Sequence, residues 1–236
     1  MMTRRKGVRT MEEIQYRHEW KHEISYLDML TLRARLSAVM EPDPHAKDGK
    51  YLIRSLYFDN LSDKALREKA DGVNMREKFR IRYYNGDKSF INLEKKSKMN
   101  GLGTKYSAFL TEEEAQSIVD GKTEWMMESE QPLIREFYCK MKYQGLAPKT
   151  IVDYTREPFV FGPGNVRVTF DYDIRTGLRA TDFLNTECVT IPAGNAPRIL
   201  EVKWDNYLPA LIRDAVQLPG RRVTAFSKYM QCRIYG

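Results

Sequence analysis

Polar and apolar residues alternate along several stretches of this chain, and a period of two predicts strands. Strand-like segments run over Tyr16 to Ile24, Tyr51 to Asp59, Asn74 to Tyr84, Ser89 to Lys98 and Thr104 to Leu110. Three more follow at Thr150 to Arg156, Val166 to Asp173 and Arg198 to Trp204. Asn85-Gly86 is a hairpin signal, because a type I′ turn needs two residues that tolerate positive φ. Helices are predicted between the strands. Ser25 caps one that runs to about Met40, and Ser62 to Ala70 is a short one. Thr111 with Glu114 forms a capping box for Glu112 to Val119. Pro132 opens a helix to about Tyr143, and Pro209 another to about Val216. Ser227 to Ile234 reads equally as helix or strand. The strands are mostly antiparallel, and no linker divides the chain, so one α+β domain is expected.

Residues two apart on a strand share a face. Arg76, Lys78, Arg80 and Arg82 therefore share one, opposite Met75, Phe79, Ile81 and Tyr83. Four cations in a row at about 7 Å spacing repel one another. The division recurs. Arg17, Glu19, Lys21 and Glu23 share a face, as do Glu94, Lys96 and Lys98. Arg167, Thr169, Asp171 and Asp173 oppose apolar residues, and so do Glu201 and Lys203. Lys105 and Arg156 add cations on neighbouring strands. A single charged face reads more readily as solvated. Recurrence on five strands, rich in arginine and lysine, favours a shared wall. Seven or eight such strands can close into a barrel with the polar side chains inside. The expected fold is an antiparallel eight-stranded β-tunnel, a closed barrel with surrounding helices.

Charge sharpens this picture. The chain has 236 residues, 39 Lys and Arg against 32 Asp and Glu, and a formal net charge of +7. That balance favours polyanionic partners. Arginine binds phosphate oxygens through a planar fork, while lysine acts as a mobile point charge. No stretch reaches the roughly 18 apolar residues of a membrane span. Residues 1–15 read as a flexible basic leader, not a secretory signal. The cysteines, Cys139, Cys188 and Cys232, are odd in number and far apart. They predict neither a disulfide framework nor a zinc site, and a cytoplasmic location is expected. His18 and His22 fall opposite Glu19 and Lys21, outside the tunnel.

At the level of motifs the chain resembles the polyphosphate polymerase domain of the vacuolar transporter chaperone (VTC) family, a branch of the triphosphate tunnel metalloenzymes. The elements occur in order: Arg17, Glu19 and Lys21; RSLYFDN at Arg54 to Asn60; Lys78 to Tyr83; LEKK at Leu93 to Lys96; and GTKY at Gly103 to Tyr106. YTR at Tyr154 to Arg156, RVTFD at Arg167 to Asp171, LEVK at Leu200 to Lys203 and FSKY at Phe226 to Tyr229 complete the series. The resemblance implies that Lys21, Arg80, Arg82 and Lys96 are catalytic. It implies that Lys78, Lys105, Arg156, Arg167, Lys203 and Lys228 bind substrate, and that Glu201 holds Mn²⁺ or Mg²⁺. ATP or another nucleoside triphosphate, inorganic polyphosphate and phosphate are the implied ligands. Hydrolases of the wider superfamily carry E-x-E-x-K on the first strand. Here Lys21 stands where the second glutamate would, which favours the polymerase branch. A non-catalytic polyphosphate-binding module and a metal-dependent triphosphatase remain alternatives. Nucleic acid is disfavoured, because the tyrosines mostly oppose the cations.

Overall fold

The computed structural model describes residues 17–100 and 102–234. The expected leader, residues 1–15, and Tyr16 lie outside the described residues.

The alternating stretches form strands, as their periodicity requires. In chain order they are β1 (His18–Ile24), β2 (Glu41–Pro42), β3 (Tyr51–Asp59), β4 (Arg76–Tyr84) and β5 (Asp87–Met99). The others are β6 (Leu102–Leu110), β7 (Ala147–Phe161), β8 (Val166–Thr176), β9 (Ile191–Pro192) and β10 (Arg198–Trp204). Helices α1 (Tyr26–Ser37), α2 (Lys64–Ala70), α3 (Glu112–Val119), α4 (Pro132–Gln144), α5 (Ala210–Ala215) and α6 (Lys228–Ile234) lie between and after them. Both expected N-terminal caps are present. Ser25 and Asp28 exchange hydrogen bonds at α1, and Thr111 and Glu114 do so at α3. Asn85 and Gly86 both take positive φ, as the type I′ turn demands. The C-terminal segment, ambiguous from sequence, is helical from Lys228.

The strands make one sheet in the order β1-β10-β8-β7-β3-β4-β5-β6, with β2 added to β7 and β9 to β8. All pairs are antiparallel. The eight-strand path agrees with expectation, but closure does not. The sheet curls into a half-barrel and stays open. Arg17, just before β1, bridges Gly103 of β6, and no ladder continues from that contact among the described residues. Both edges carry inward-facing charges, Glu19 and Lys21 on β1 and Lys105 on β6, a pattern that blunts edge pairing.

The convex face is apolar, and helices cover it. Phe58, Phe79, Ile81 and Leu93 pack against Ile118 of α3 and Phe137 of α4. Val168, Phe170, Leu200 and Val202 pack against Leu32 and Leu36 of α1 and Ile212 of α5. The concave face is not polar throughout, contrary to the simple inside–outside division. Ile53, Val152, Ile174 and Ile199 face inward and form a third cluster with Tyr57, Tyr154 and Tyr229. Helix α6 covers this cluster from inside. Its Tyr229 stacks on Tyr57 at 5.0 Å and donates a hydrogen bond to Asp59 at 2.8 Å. Asp59 also accepts from the backbone nitrogens of Ala65 and Leu66 in the first turn of α2. One buried carboxylate thus ties both helices to β3.

Candidate functional site

Strand register brings the inward-facing charges together. Arg80 faces Glu94 and Lys78 faces Lys96 across β4 and β5. Lys96 faces Lys105 across β5 and β6. On the opposite wall Lys21 faces Glu201, Glu19 faces Lys203 and Lys203 faces Arg167. Arg156 faces Asp171 across β7 and β8. Lys228, from α6, reaches the same wall at Asp171.

The arginines are held before any ligand arrives. Arg80 is buried and donates from Nε to Glu94 at 2.7 Å and from Nη1 to the Tyr57 hydroxyl at 2.7 Å. Arg82, also buried, donates from Nε to Ser55 at 2.8 Å and from Nη2 to Tyr154 at 3.0 Å. Arg156 forms two 2.7 Å bonds to Asp171, a bidentate pair. Burial works against the Arg80 charge, but Glu94 outweighs it and holds the guanidinium firmly protonated. Glu94 in turn is pushed far below the usual carboxylate range. Burial opposes its charge, and Arg80, Arg82 and Lys105 overcome that. Lys105 closes on Glu94 at 2.6 Å.

The lysines differ among themselves. Lys21 lies 3.1 Å from Glu19 and 3.7 Å from Glu201, and Lys203 contacts both carboxylates. Burial lowers Lys21, but Glu201 and Glu19 raise it more. Lys96 and Lys78 make no ion pair or hydrogen bond with any described residue. Burial, then Lys203 and Arg80, holds Lys96 well below the ordinary lysine range. Burial draws Lys78 down to about 8; Tyr57 opposes this, while Arg80 and Lys21 add to it. Its ammonium sits 5.6 Å from the centre of the Tyr57 ring. Burial also favours the neutral phenol of Tyr57, yet Arg80, Lys78 and Arg82 bring it down to about 7.

Most residues expected in the site are thus gathered on one concave surface. Arg167 stands at its margin, half-exposed and paired with Asp43 at 2.8 Å. Arg76 turns to the Val73 carbonyl. Asp173 leaves the wall. It takes a φ of 50°, the register of β7 and β8 shifts nearby, and its side chain is exposed. His18 stacks on Trp204 on the convex side, as expected. Glu94 and Asp171 lie on the expected wall, although the sequence alone assigns them no role. Nor does it identify Tyr57 or Ser55 as partners of the arginines. The one cue is alternation, which puts Ser55 and Tyr57 on the same face of YLIRSLYFD.

The expected metal site rests on Glu201. Among the described residues no three His, Cys, Asp or Glu side chains converge as a metal cage. Glu201 is buried, and burial opposes its charge. Lys203, Lys21 and Arg156 overcome that and keep it ionised. Glu19 lies beside it and feels its negative charge. Two hard oxygen donors on adjacent strands fit Mg²⁺ or Mn²⁺ held jointly with phosphate oxygens, which is how such ions commonly bind nucleotides. They do not fit an ion held by protein alone.

Fold and site together define an α+β protein built on a half-barrel whose concave face is lined with cations. A family model of the VTC domain matches residues 16–235, and the chain belongs to that family. Comparison with curated proteins gives no match. Among solved structures the chain is similar to the PH1012 protein of Pyrococcus horikoshii OT3, at 13% identity and a TM-score of 0.48, covering 92% of this chain and 99% of that one. It is also similar to a candidate adenylate cyclase of Bacillus halodurans, at 13% identity and a TM-score of 0.47, covering 81% and 80%. The PH1819 protein of Pyrococcus horikoshii OT3 matches at 14% identity and a TM-score of 0.43, covering 85% and 84%.

Proposed function

We propose that this protein is a nucleotide-dependent polyphosphate polymerase that moves the γ-phosphate of ATP onto phosphate or the end of a growing chain. One observation carries the reading. Basic side chains on the concave face outnumber the carboxylates there, and two of them, Lys78 and Lys96, make no ion pair with a described residue, so burial and the neighbouring cations disfavour their charge. A buried charge is costly unless paired. A polyanion supplies the missing charge.

In this reading Arg80, Arg82, Lys96 and Lys21 hold the triphosphate. Lys105, Arg156 and Lys228 hold the acceptor, with Arg167 and Lys203 toward the margin. An oxygen of the terminal acceptor phosphate bonds to the γ-phosphorus, the bond to the β-phosphate oxygen breaks, and ADP leaves. The acceptor is already anionic, so no general base is required, and catalysis is positioning and charge neutralisation. Glu201, with Glu19, would hold a divalent ion, which would supply charge neutralisation for the phosphates.

Phosphorus-31 NMR of wild-type protein with ATP, Mn²⁺ and a phosphate primer tests this. The expected outcome is ADP together with the resonance of interior chain phosphates. ADP with rising orthophosphate and no interior chain resonance would make the protein a triphosphatase. Tight polyphosphate binding with no turnover, unaffected by Glu201→Ala, would make it a binding module.

A further inference from the structure

Two phenylalanines on the cationic wall have no part in the phosphate site. Phe90 of β5 and Phe109 of β6 are 57% and 43% exposed, with ring centres 5.9 Å apart and planes at 46°. Rings of this size ordinarily bury. On the same strands the adjacent convex residues, Ile91 and Leu110, are fully buried. The exposure therefore belongs to the concave face and does not reflect fraying of the strands.

Register relates the rings to the cations. Phe109 faces Asn92, which faces Arg82. Lys96 lies four residues from Asn92 on the same strand, a span of about 13 Å. That span is comparable to the reach of an extended nucleoside triphosphate from its terminal phosphate to its base. Asn92 is half-buried, and its amide makes no hydrogen bond with any described residue. A free tripolyphosphate would use only the cationic end of this track. Exposed rings beside a cationic groove are the arrangement that stacks nucleobases.

We propose that Phe90 and Phe109 form a stacking platform for the base of a nucleoside triphosphate, with Asn92 available to its ribose or base edge. The proposal rests on the phosphate site described above and extends it to the nucleoside. Stacking engages the π-face that every base has, so the platform selects nucleotides over inorganic chains with little preference among bases.

The test is calorimetric titration of wild type and the Phe90→Ala/Phe109→Ala variant, each with ATP and with inorganic tripolyphosphate, in Mg²⁺. Both rings are exposed, so the variant keeps its core. ATP affinity should fall on the order of tenfold while tripolyphosphate affinity is unchanged. A Phe90→Trp/Phe109→Trp variant should retain ATP binding. ATP affinity unchanged in the alanine variant, or an equal loss for both ligands, overturns the platform alone. Wild-type protein that binds neither ligand overturns the phosphate site and the platform with it.

Discussion

Glu94 sets the arginine clamp. It accepts from Arg80 and Lys105 and lies 3.9 Å from Arg82, so one buried carboxylate orients three cations. What it leaves unbalanced appears at Lys78 and Tyr57. Burial draws Lys78 down to about 8, and the neighbouring cations draw Tyr57 down to about 7, both inside the range of ordinary buffers. As pH rises through 7, Tyr57 gains negative charge beside Arg80. As it rises through 8, Lys78 loses positive charge. Both changes make the concave face less cationic, so anion binding is linked to proton uptake. Binding of long-chain polyphosphate should weaken at least about tenfold between pH 6 and pH 9. In Tyr57→Phe the part of the change near pH 7 should vanish, and the part due to Lys78 should move to lower pH, because the phenolate that raises Lys78 is gone. Identical pH profiles for the two proteins would contradict this account of Tyr57. The cations were legible in the sequence, because alternation alone puts Arg80, Arg82, Lys21 and Lys203 on one side. Their partners Tyr57 and Ser55 were not, because both faces of YLIRSLYFD mix polar and apolar residues, which conceals the side that meets the site.

Helix α6 joins stability to the site. Tyr229 is buried against Tyr57 and bonded to Asp59, and the residue before it is Lys228, which reaches Asp171 and lies 4.6 Å from the Tyr154 ring. Tyr229→Ala should cost about 3–5 kcal/mol, as deletions of buried aromatic rings do. The thermal midpoint should then fall by roughly 10 °C. Polyphosphate affinity should fall too, even where the variant is fully folded, because Lys228 loses its anchor. Phe137→Ala, which removes a buried ring from the convex side, should lower the midpoint comparably and leave affinity alone. If the two variants bind equally well, α6 does not position Lys228. Most elements were readable because their signals are local: a Ser or Thr cap, Asn-Gly, a proline at a helix start. Segment 227–234 was not, because its helix is fixed by packing onto β7 and β8, which only the folded chain brings near it. The displacement of Asp173 also follows from pairing between strands rather than from its own neighbours.

At the scale of the molecule, the antiparallel path of eight strands followed from alternation, but closure did not. Whether a sheet closes depends on tilt and stagger accumulated over all its strands. A single bridge, Arg17 to Gly103, is all that joins the edges among the described residues. No helix among the described residues is long and apolar enough to cross a membrane. A chain of phosphates on the concave face would be seen in a crystal structure with a non-hydrolysable ATP analogue and Mn²⁺. Phosphate oxygens should lie within hydrogen-bond reach of Arg80, Arg82 and Lys96, with the metal beside Glu201. A triphosphate bound on the convex side, or a concave face left empty at saturating ligand, would contradict this expectation.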